Sequence, residues 1–393
     1  MSHIYSDGMF SKAFIPPEKP IRISNLEESI RSKIEALIEI PYSDLRFKIF
    51  IGLLHSYYNQ RYCATKEVTD LDAIIDYARA FVNLFPTDKP RRAGRLNKLG
   101  VYLEERYTRT RRIEDLQEAI AVLQEAVQLA QGEDGSLINP SIQVRNLHDL
   151  GVLLGRKYLV AGDTADFNMA KESLELAFRI EVNLQTKAKC LMSLSHRYAD
   201  RYFKEGTEEY IRDSIDLLVQ VAIWVPESNN DADYLHILAI RHADRALLSG
   251  STLALDNAIL SAGKAVDLKP GSSSERASYL NTFARTIGLR SIRSGIMGDL
   301  DKAIQAAREG LDMTPQDHPN RITYLSGLKM WLGHRYHAQG AMLDLEDSVD
   351  LAREIVDLTP TEGRSIADPT SHTRLADLGL LAFELIRRSQ SSG

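Results

Sequence analysis

Apolar and small residues recur along the chain at a spacing typical of one helix face. The segment 115–130, DLQEAIAVLQEAVQLA, places Ala119, Leu123 and Ala126 four and three residues apart, and similar segments begin at 299 and 344. Small side chains on such a face allow another helix to approach closely. The pattern predicts a series of amphipathic helices, here called second helices, with marker residues Ser29, Ala73, Ala119, Ala170, Ser214, Ala258, Ala303 and Ser348.

Another family of amphipathic segments, here called first helices, alternates with these. In 95–107, RLNKLGVYLEERY, three leucines mark the apolar face. The marker residue follows the middle apolar residue, a leucine or Phe283, by 20 residues in six repeats and by 19 in the earliest, from Leu54 to Ala73. Successive markers lie 44 to 51 residues apart. A constant turn inside each pair and a variable linker between pairs predict about seven helix pairs.

The ends and linkers of this array also leave signals. Prolines, which cannot continue a helix, follow six second helices, at Pro41, Pro86, Pro226, Pro270, Pro315 and Pro360. The segment 131–141 predicts an inserted surface loop. We expect a lone second helix over 24–40 and a lone capping first helix over 370–388. Residues 1–23 are predicted to form an extended strap over the uncovered helix, with a second molecule or a disordered tail as alternatives, and 389–393 to be disordered.

The repeat resembles the tetratricopeptide (TPR) pattern. Leu96, Leu99 and Gly100 in a first helix, and Ala119 and Ala126 in a second helix, stand in the TPR order, with proline after the second helix. The period is 44 to 45 residues, and this long form resembles the repeats that precede CHAT-type caspase-like protease domains in fungal proteins. The resemblance implies an all-α fold, a right-handed TPR-like superhelical solenoid of antiparallel helix pairs over 24–388.

Composition restricts the class of partner. The chain is 44% hydrophobic with a formal net charge of -6, so it lacks the basic field with which proteins neutralise nucleic-acid phosphates. Two cysteines, Cys63 and Cys190, cannot build a disulfide framework or a multi-cysteine zinc site. No segment has the ~18 apolar residues of a membrane span. We therefore expect a cytoplasmic protein without a cofactor, without nucleic acid and without a membrane anchor.

One cationic position recurs at the end of the first helices. It is followed by an acidic residue that opens the second helix in five repeats, at Asp70, Asp115, Asp166, Asp299 and Asp344. A cation at a helix C-terminus meets free carbonyls and the negative end of the dipole. Because the position is copied in every repeat, we predict structural ion pairs there rather than a ligand site. The cations are Arg61, Arg106, Lys157, Arg201, Arg245, Arg290 and Arg335.

The resemblance implies that first helices line a concave groove with their fifth, ninth and thirteenth positions facing inward. These positions are polar, vary between repeats and are rich in Arg, Lys and His in the middle of the chain. We predict a groove for an extended or helical peptide of acidic character; the alternative is an ordinary solvated face. The predicted contacts are Asn97, Arg145, His148, Arg156, Lys189, Met192, His196, His236, Asn281 and Arg285. Reversing the charges of Arg156 and Lys189 is expected to weaken binding with little loss of stability.

Signals for catalysis are poor. The sequence has no HExxH, phosphate-loop, GxSxG or CxxC motif, and we interpret His196 with Asp200, and His236 with Asp244, as helix neighbours with surface roles. The first hypothesis is a non-catalytic scaffold, adaptor or sensor arm that binds protein or peptide in the groove. The alternative is an enzyme or small-molecule receptor, which a deep closed pocket with clustered His and carboxylate groups would favour. Self-association through the N-terminal helix is compatible with the first hypothesis.

Overall fold

The structure, a computed structural model, describes residues 23–38, 40, 44–84, 89–130, 139–226, 231–271, 273–316, 318 and 320–358. In these ranges the chain forms fifteen α-helices and no strand, which confirms the all-α class. The predicted strap, residues 131–138 of the loop predicted over 131–141, the capping helix at 370–388 and the end at 389–393 lie outside the described residues. The predicted loop extends too far, because α6 already begins at Pro140. The helices are α1 (Ile23–Ile38), α2 (Leu45–Thr65), α3 (Val68–Asn83), α4 (Lys89–Thr110), α5 (Ile113–Leu129), α6 (Pro140–Ala161), α7 (Thr164–Ile180), α8 (Leu184–Glu205), α9 (Glu208–Trp224), α10 (Ala232–Ser249), α11 (Thr252–Leu268), α12 (Ser274–Ser294), α13 (Met297–Asp312), α14 (Arg321–Gln339) and α15 (Met342–Leu358).

The described residues form two compact units, divided between 210 and 211, which we call the 5–210 unit, or first unit, and the 211–358 unit, or second unit. The first unit contains α1 to α8, and the second contains α10 to α15, while α9 crosses the boundary. In the first unit the consecutive pairs are α2–α3, α4–α5 and α6–α7, and the first helices α4, α6 and α8 pack on their neighbours. In the second unit the pairs are α10–α11, α12–α13 and α14–α15, and α12 packs on both α10 and α14. A single array over 24–388 and its handedness stay predictions.

The marker residues lie where helices pack most closely. Ala119 and Ala170 in the first unit, and Ala258 and Ala303 in the second, have no exposed surface. The earliest repeat differs from the prediction, because Ile74 is fully buried whereas Ala73 is half-buried. Ile74 precedes Ala119 by the same 45 residues that separate the ion pairs of these two repeats. A larger side chain therefore occupies the marker position in the α2–α3 pair.

The recurrent cations form ion pairs, as predicted, and we call the series the ladder. Its five pairs are Arg61–Asp70, Arg106–Asp115, Lys157–Asp166, Arg290–Asp299 and Arg335–Asp344. Each aspartate is buried, so each pair is partly shielded from water and holds a first helix to its own second helix. Where Tyr210 replaces the acid, Arg201 stacks 4.5 Å from the centre of the tyrosine ring.

The first helices end in a residue with left-handed backbone. In the second unit this residue is Gly250, Gly295 or Gly340, each with φ near +70° and a backbone N–H bonded to the carbonyl four residues earlier. Lys66 and Arg111 adopt the same conformation after α2 and α4, with φ of 59° and 58°. These one-residue caps let the second helix start within three residues and keep the hairpin turns short.

Candidate functional site

Four polar side chains connect three first helices in the 5–210 unit. Asn97 on α4 donates from Nδ2 to Asp149 Oδ2 on α6 at 2.8 Å. Asp149 Oδ1 lies 3.2 Å from His148 Nδ1, and His148 Nε2 lies 2.8 Å from Ser193 Oγ on α8. Asn97 and His148 are only 5% and 4% exposed. We call these four residues the polar bridge; in the tautomer that carries its proton on Nδ1, His148 donates to Asp149 and accepts a hydrogen bond from the Ser193 hydroxyl at Nε2.

The polar bridge contains serine, histidine and aspartate in the order of a nucleophile, its base and the group that orients the base. Acyl transfer also needs N–H donors aimed at the developing oxyanion. Ser193 lies in the middle of α8, where the backbone N–H groups bond within the helix. The geometry therefore favours a bridge that fixes the packing of α4, α6 and α8 over a hydrolytic centre.

Two exposed cations lie one helical turn before the bridge. Arg145 precedes Asp149 on α6, and Lys189 precedes Ser193 on α8, in each case by four residues, so each shares a helix face with its bridge residue. These two positions are equivalent in the repeat, 44 residues apart, on helices that pack together. Lys98, next to Asn97 on α4, is also exposed. We call Lys98, Arg145 and Lys189 the cationic rim.

Three other predicted contacts in this unit are committed to internal interactions. Arg156 Nη2 lies 3.1 Å from Glu104 Oε1, so it links α6 to α4. Met192 and His196 are each 8% exposed, and His196 Nδ1 lies 2.8 Å from the Met192 carbonyl oxygen. Reversing the charge of Arg156 would therefore break an ion pair between helices, and the expectation of little stability loss does not fit this contact. Arg145 is the better residue for a charge reversal.

A buried arginine pairs with a buried aspartate beside this site. Arg197 Nη1 donates to the Val152 carbonyl at 2.8 Å, and Arg197 Nε lies 3.1 Å from Asp200 Oδ2. A β-carbon at Gly155 would lie 2.0 Å from Arg197 Nη1, so the glycine makes room for the guanidinium. Since Asp200 and Asp244 are 5% and 3% exposed, the predicted surface role for them and for His196 is wrong. Packing between neighbouring first helices covers that face.

The remaining predicted contacts belong to the 211–358 unit. His236 on α10 packs against Tyr279 with ring centres 4.9 Å apart. Arg285 on α12 lies 3.5 Å from Asp244, which also pairs with Arg241 at 3.2 Å. Asn281 is half-buried on α12. The ten predicted contacts thus fall on first helices of both units, and the groups that sequence reasoning missed are Asp149, Ser193 and Lys98.

Other features of the described chain bear on the alternative of an enzyme or small-molecule receptor. A cavity of about 220 Å³ opens between α13, α14 and α15, and its lining contains no histidine. The described part holds no cluster of three His, Cys, Asp or Glu residues suited to a metal ion. Burial raises the pKa of the Cys190 thiol to about 12, which disfavours the thiolate, its nucleophilic form. Among the described helices, none has the length and apolar character needed to cross a bilayer.

Comparisons with known proteins give structural likenesses only. No protein-family model matches the chain, and no curated protein matches it. The quorum sensor NprR from B. thuringiensis is similar at 12% identity and a TM-score of 0.47, over 91% of this chain and 97% of that one. The TPR protein YrrB is similar at 16% identity and a TM-score of 0.35, over 61% and 95%. TTC0263, a TPR protein of Thermus thermophilus, is similar at 19% identity and a TM-score of 0.39, over 60% and 98%. The solved structures that resemble this chain thus include TPR proteins, and the specific CHAT-preceding repeat form stays a prediction.

Proposed function

We propose that the chain is a non-catalytic scaffold or sensor arm that binds an acidic, extended segment of a partner protein on the cationic rim. One observation carries the proposal: the rim cations are exposed beside a polar bridge whose side chains already bond to one another. The bridge holds α4, α6 and α8 in place, so the rim is presented on a rigid surface. Exposed cations on a rigid surface favour a partner chain that carries carboxylates.

The rim is too small for a nucleic-acid surface. Three exposed cations neutralise few phosphates, and the chain as a whole carries a net charge of -6. A peptide needs fewer charges, because its backbone and apolar side chains add contacts along the same face. YrrB is described with a peptide-binding site, and a second NprR structure contains the cognate peptide NprX. Those likenesses are too distant to add weight. The proposal therefore rests on the rim.

The experiment compares binding of two labelled probes, a Glu-Gly repeat peptide and a Gln-Gly repeat of equal length, by fluorescence anisotropy. The intact chain is expected to prefer the Glu probe, and the preference should decrease with salt. Arg145→Glu combined with Lys189→Glu should weaken Glu-probe binding by at least about tenfold, because both charges at the rim reverse. The variant should unfold at the same denaturant concentration as the parent, since Arg145 and Lys189 are exposed.

A matched control reverses two exposed arginines of the same unit away from the rim, Arg112 before α5 and Arg179 on α7. It changes the net charge by the same amount as the rim variant. Retained binding in the control and lost binding in the rim variant support the proposal. Equal weakening in the rim variant and the control would show that net charge, not the rim, determines binding. The absence of any preference for the Glu probe in the parent would overturn the proposal.

A further inference from the structure

The hairpin turns of the 211–358 unit expose apolar side chains. The three turns α10–α11, α12–α13 and α14–α15 lie on one edge of the unit, because α12 packs on both α10 and α14 with the starts of the helices together. Tyr279 near the start of α12 bonds to Asp233 of α10, and Ser278 bonds to Tyr324 of α14. Leu253 is 70% exposed and Leu343 is 73% exposed. We call the set the turn edge; its members, all more than two-fifths exposed, are Leu247, Leu248, Leu253, Ile292, Ile296, Met342 and Leu343.

The fold does not require these side chains. Turns between surface helices are ordinarily polar, and the conformation of these turns is supplied by their glycines. Between the ladder positions, the three turns contain one Lys, Arg, Asp or Glu in total, Arg293. Arg293 Nη2 donates to the Ala246 carbonyl at 2.8 Å, so its guanidinium lies along the edge and connects two neighbouring turns. The turn edge therefore carries little charge, and two of its three turns are directly connected.

Its size is that of one side of a protein interface. The exposed parts of the seven side chains amount to roughly 700 Å², against ~800 Å² per partner in a standard interface. The largest apolar patch on a typical monomer covers about 300–600 Å². We propose that the turn edge is covered by the turn edge of a second copy of this chain. This surface differs from the N-terminal helix that the sequence suggested for self-association.

The arrangement of the edge suits a two-fold axis. With three turns in a row, the middle turn of one copy meets the middle turn of the other, and each outer turn meets the opposite outer turn. Each copy brings one charge to the edge, the Arg293 guanidinium, whose hydrogen bond to the Ala246 carbonyl holds it along its own chain without neutralising it. Like-charge repulsion between two copies is therefore limited to this one pair of arginines. A partner of opposite charge would find little on the edge to pair with.

Sedimentation velocity of the full chain across the micromolar range tests the proposal. The parent is expected to show a concentration-dependent dimer. Leu253→Glu with Leu343→Glu should raise the dimer dissociation constant by more than about 100-fold, because four carboxylates would enter an apolar interface. Both residues are second in their helices, α11 and α15, where a carboxylate favours the helix dipole, so folding is expected to persist. Leu260→Glu, at a residue 59% exposed in the middle of α11, is the matched control and should dimerise like the parent.

A second measurement places the axis. Ile296→Cys puts a thiol on the middle turn, and mild oxidation should link two copies, whereas Leu260→Cys should not. A parent that stays monomeric throughout the range overturns the proposal. If the parent is monomeric but a chain lacking residues 1–20 dimerises, the turn edge is covered by that segment. If the monomeric parent sediments with phosphatidylserine vesicles and the double variant Leu253→Glu with Leu343→Glu does not, the turn edge binds lipid. Equal dimerisation by the parent and that double variant also overturns the turn edge as the interface.

Discussion

Eight residues separate the ladder cation from the ladder acid, or from the equivalent Ala254 in the α10–α11 pair, and these eight differ between the two units. In the 5–210 unit the three turns contain two, four and one charged residues, counted over 62–69, 107–114 and 158–165. In the 211–358 unit the corresponding turns, 246–253, 291–298 and 336–343, contain none, one and none. Large exposed apolar side chains follow the opposite order, with Leu159 and Val160 in the first unit and seven residues in the second.

The positions that hold the helices together do not differ in this way. Both units contain ladder pairs, and both contain a buried Arg and Asp three residues apart on a first helix, Arg197 with Asp200 and Arg241 with Asp244. Residues in contacts that recur between repeats are thus alike in the two units. Exposed residues that make no recurring contact differ: they form the cationic rim in the first unit and the turn edge in the second. The functional surfaces are expected among these exposed, non-recurring residues.

The largest predicted effect breaks the shared framework in each unit. Asp200→Ala and Asp244→Ala should each lower the free energy of unfolding by roughly 3–5 kcal/mol, because a buried guanidinium loses its carboxylate. Chemical denaturation monitored by circular dichroism, at one fixed protein concentration, measures the loss. Since the two pairs are equivalent, the two losses should be similar.

The control removes both charges at once. Arg241→Met with Asp244→Leu should unfold close to the parent, since a buried ion pair replaced by apolar groups of similar volume is often neutral or stabilising. Arg285 also loses a carboxylate in this variant, but its side chain is 21% exposed and can be hydrated, so this loss should be small. A double variant as unstable as Asp244→Ala would contradict the view that the unpaired charge is the cause. If only one of Asp200→Ala and Asp244→Ala lowered the free energy of unfolding strongly, the two buried pairs would be equivalent in sequence but not in energy.

The ladder could be predicted from sequence because it is repeated. A cation and an acid that recur nine residues apart in five repeats identify their own partners, and the constant spacing also gave the helix pairs. The same argument misplaced the marker of the earliest repeat at Ala73, since it searched for a small side chain and the position holds Ile74. Repetition fixes register better than residue size does.

The polar bridge could not be predicted in the same way. Its contacts join residues 45 and 52 positions apart, and none of them recurs in another described repeat. Whether His148 contacts solvent or Ser193 depends on how closely α6 and α8 pack, which residue spacing does not specify. The sequence pattern therefore showed that Asn97 and His148 are polar and vary between repeats. The prediction that they bind a partner did not foresee that both side chains bond within the chain.

A smaller effect is expected where the ladder is incomplete. Arg245 holds the ladder cation position on α10, but Ala254 stands where other pairs have aspartate, and Arg245 Nε is buried without a hydrogen-bond partner. Ala254→Asp should raise the free energy of unfolding by about 1 kcal/mol by completing the pair. Ala254→Asn, which has the same shape without the charge, is the comparison.

Thermal and chemical unfolding of the two variants decide the outcome. If Ala254→Asp is no more stable than Ala254→Asn, the ladder depends on more than the presence of an acid at this position. A gain confined to the aspartate variant, and reduced by salt, would show that the second unit can carry the same ladder as the first.

The smallest effect concerns the charged turns of the first unit. Arg111 ends α4 with φ of 58°, a conformation that costs a residue with a β-carbon roughly 1–2 kcal/mol. Its guanidinium lies 5.9 Å from the Tyr107 ring centre, an exposed contact of about 0.5 kcal/mol. Glycine, which ends the first helices of the second unit, removes the strain but loses this contact and has more entropy to lose on folding. Arg111→Gly should therefore raise the free energy of unfolding by only about 0.5 kcal/mol. Arg111→Ala loses the contact and keeps the strain. The denaturant midpoint should therefore be highest for the glycine variant, intermediate for the parent and lowest for the alanine variant. A glycine variant less stable than the alanine variant would show that backbone strain does not determine the stability of this turn.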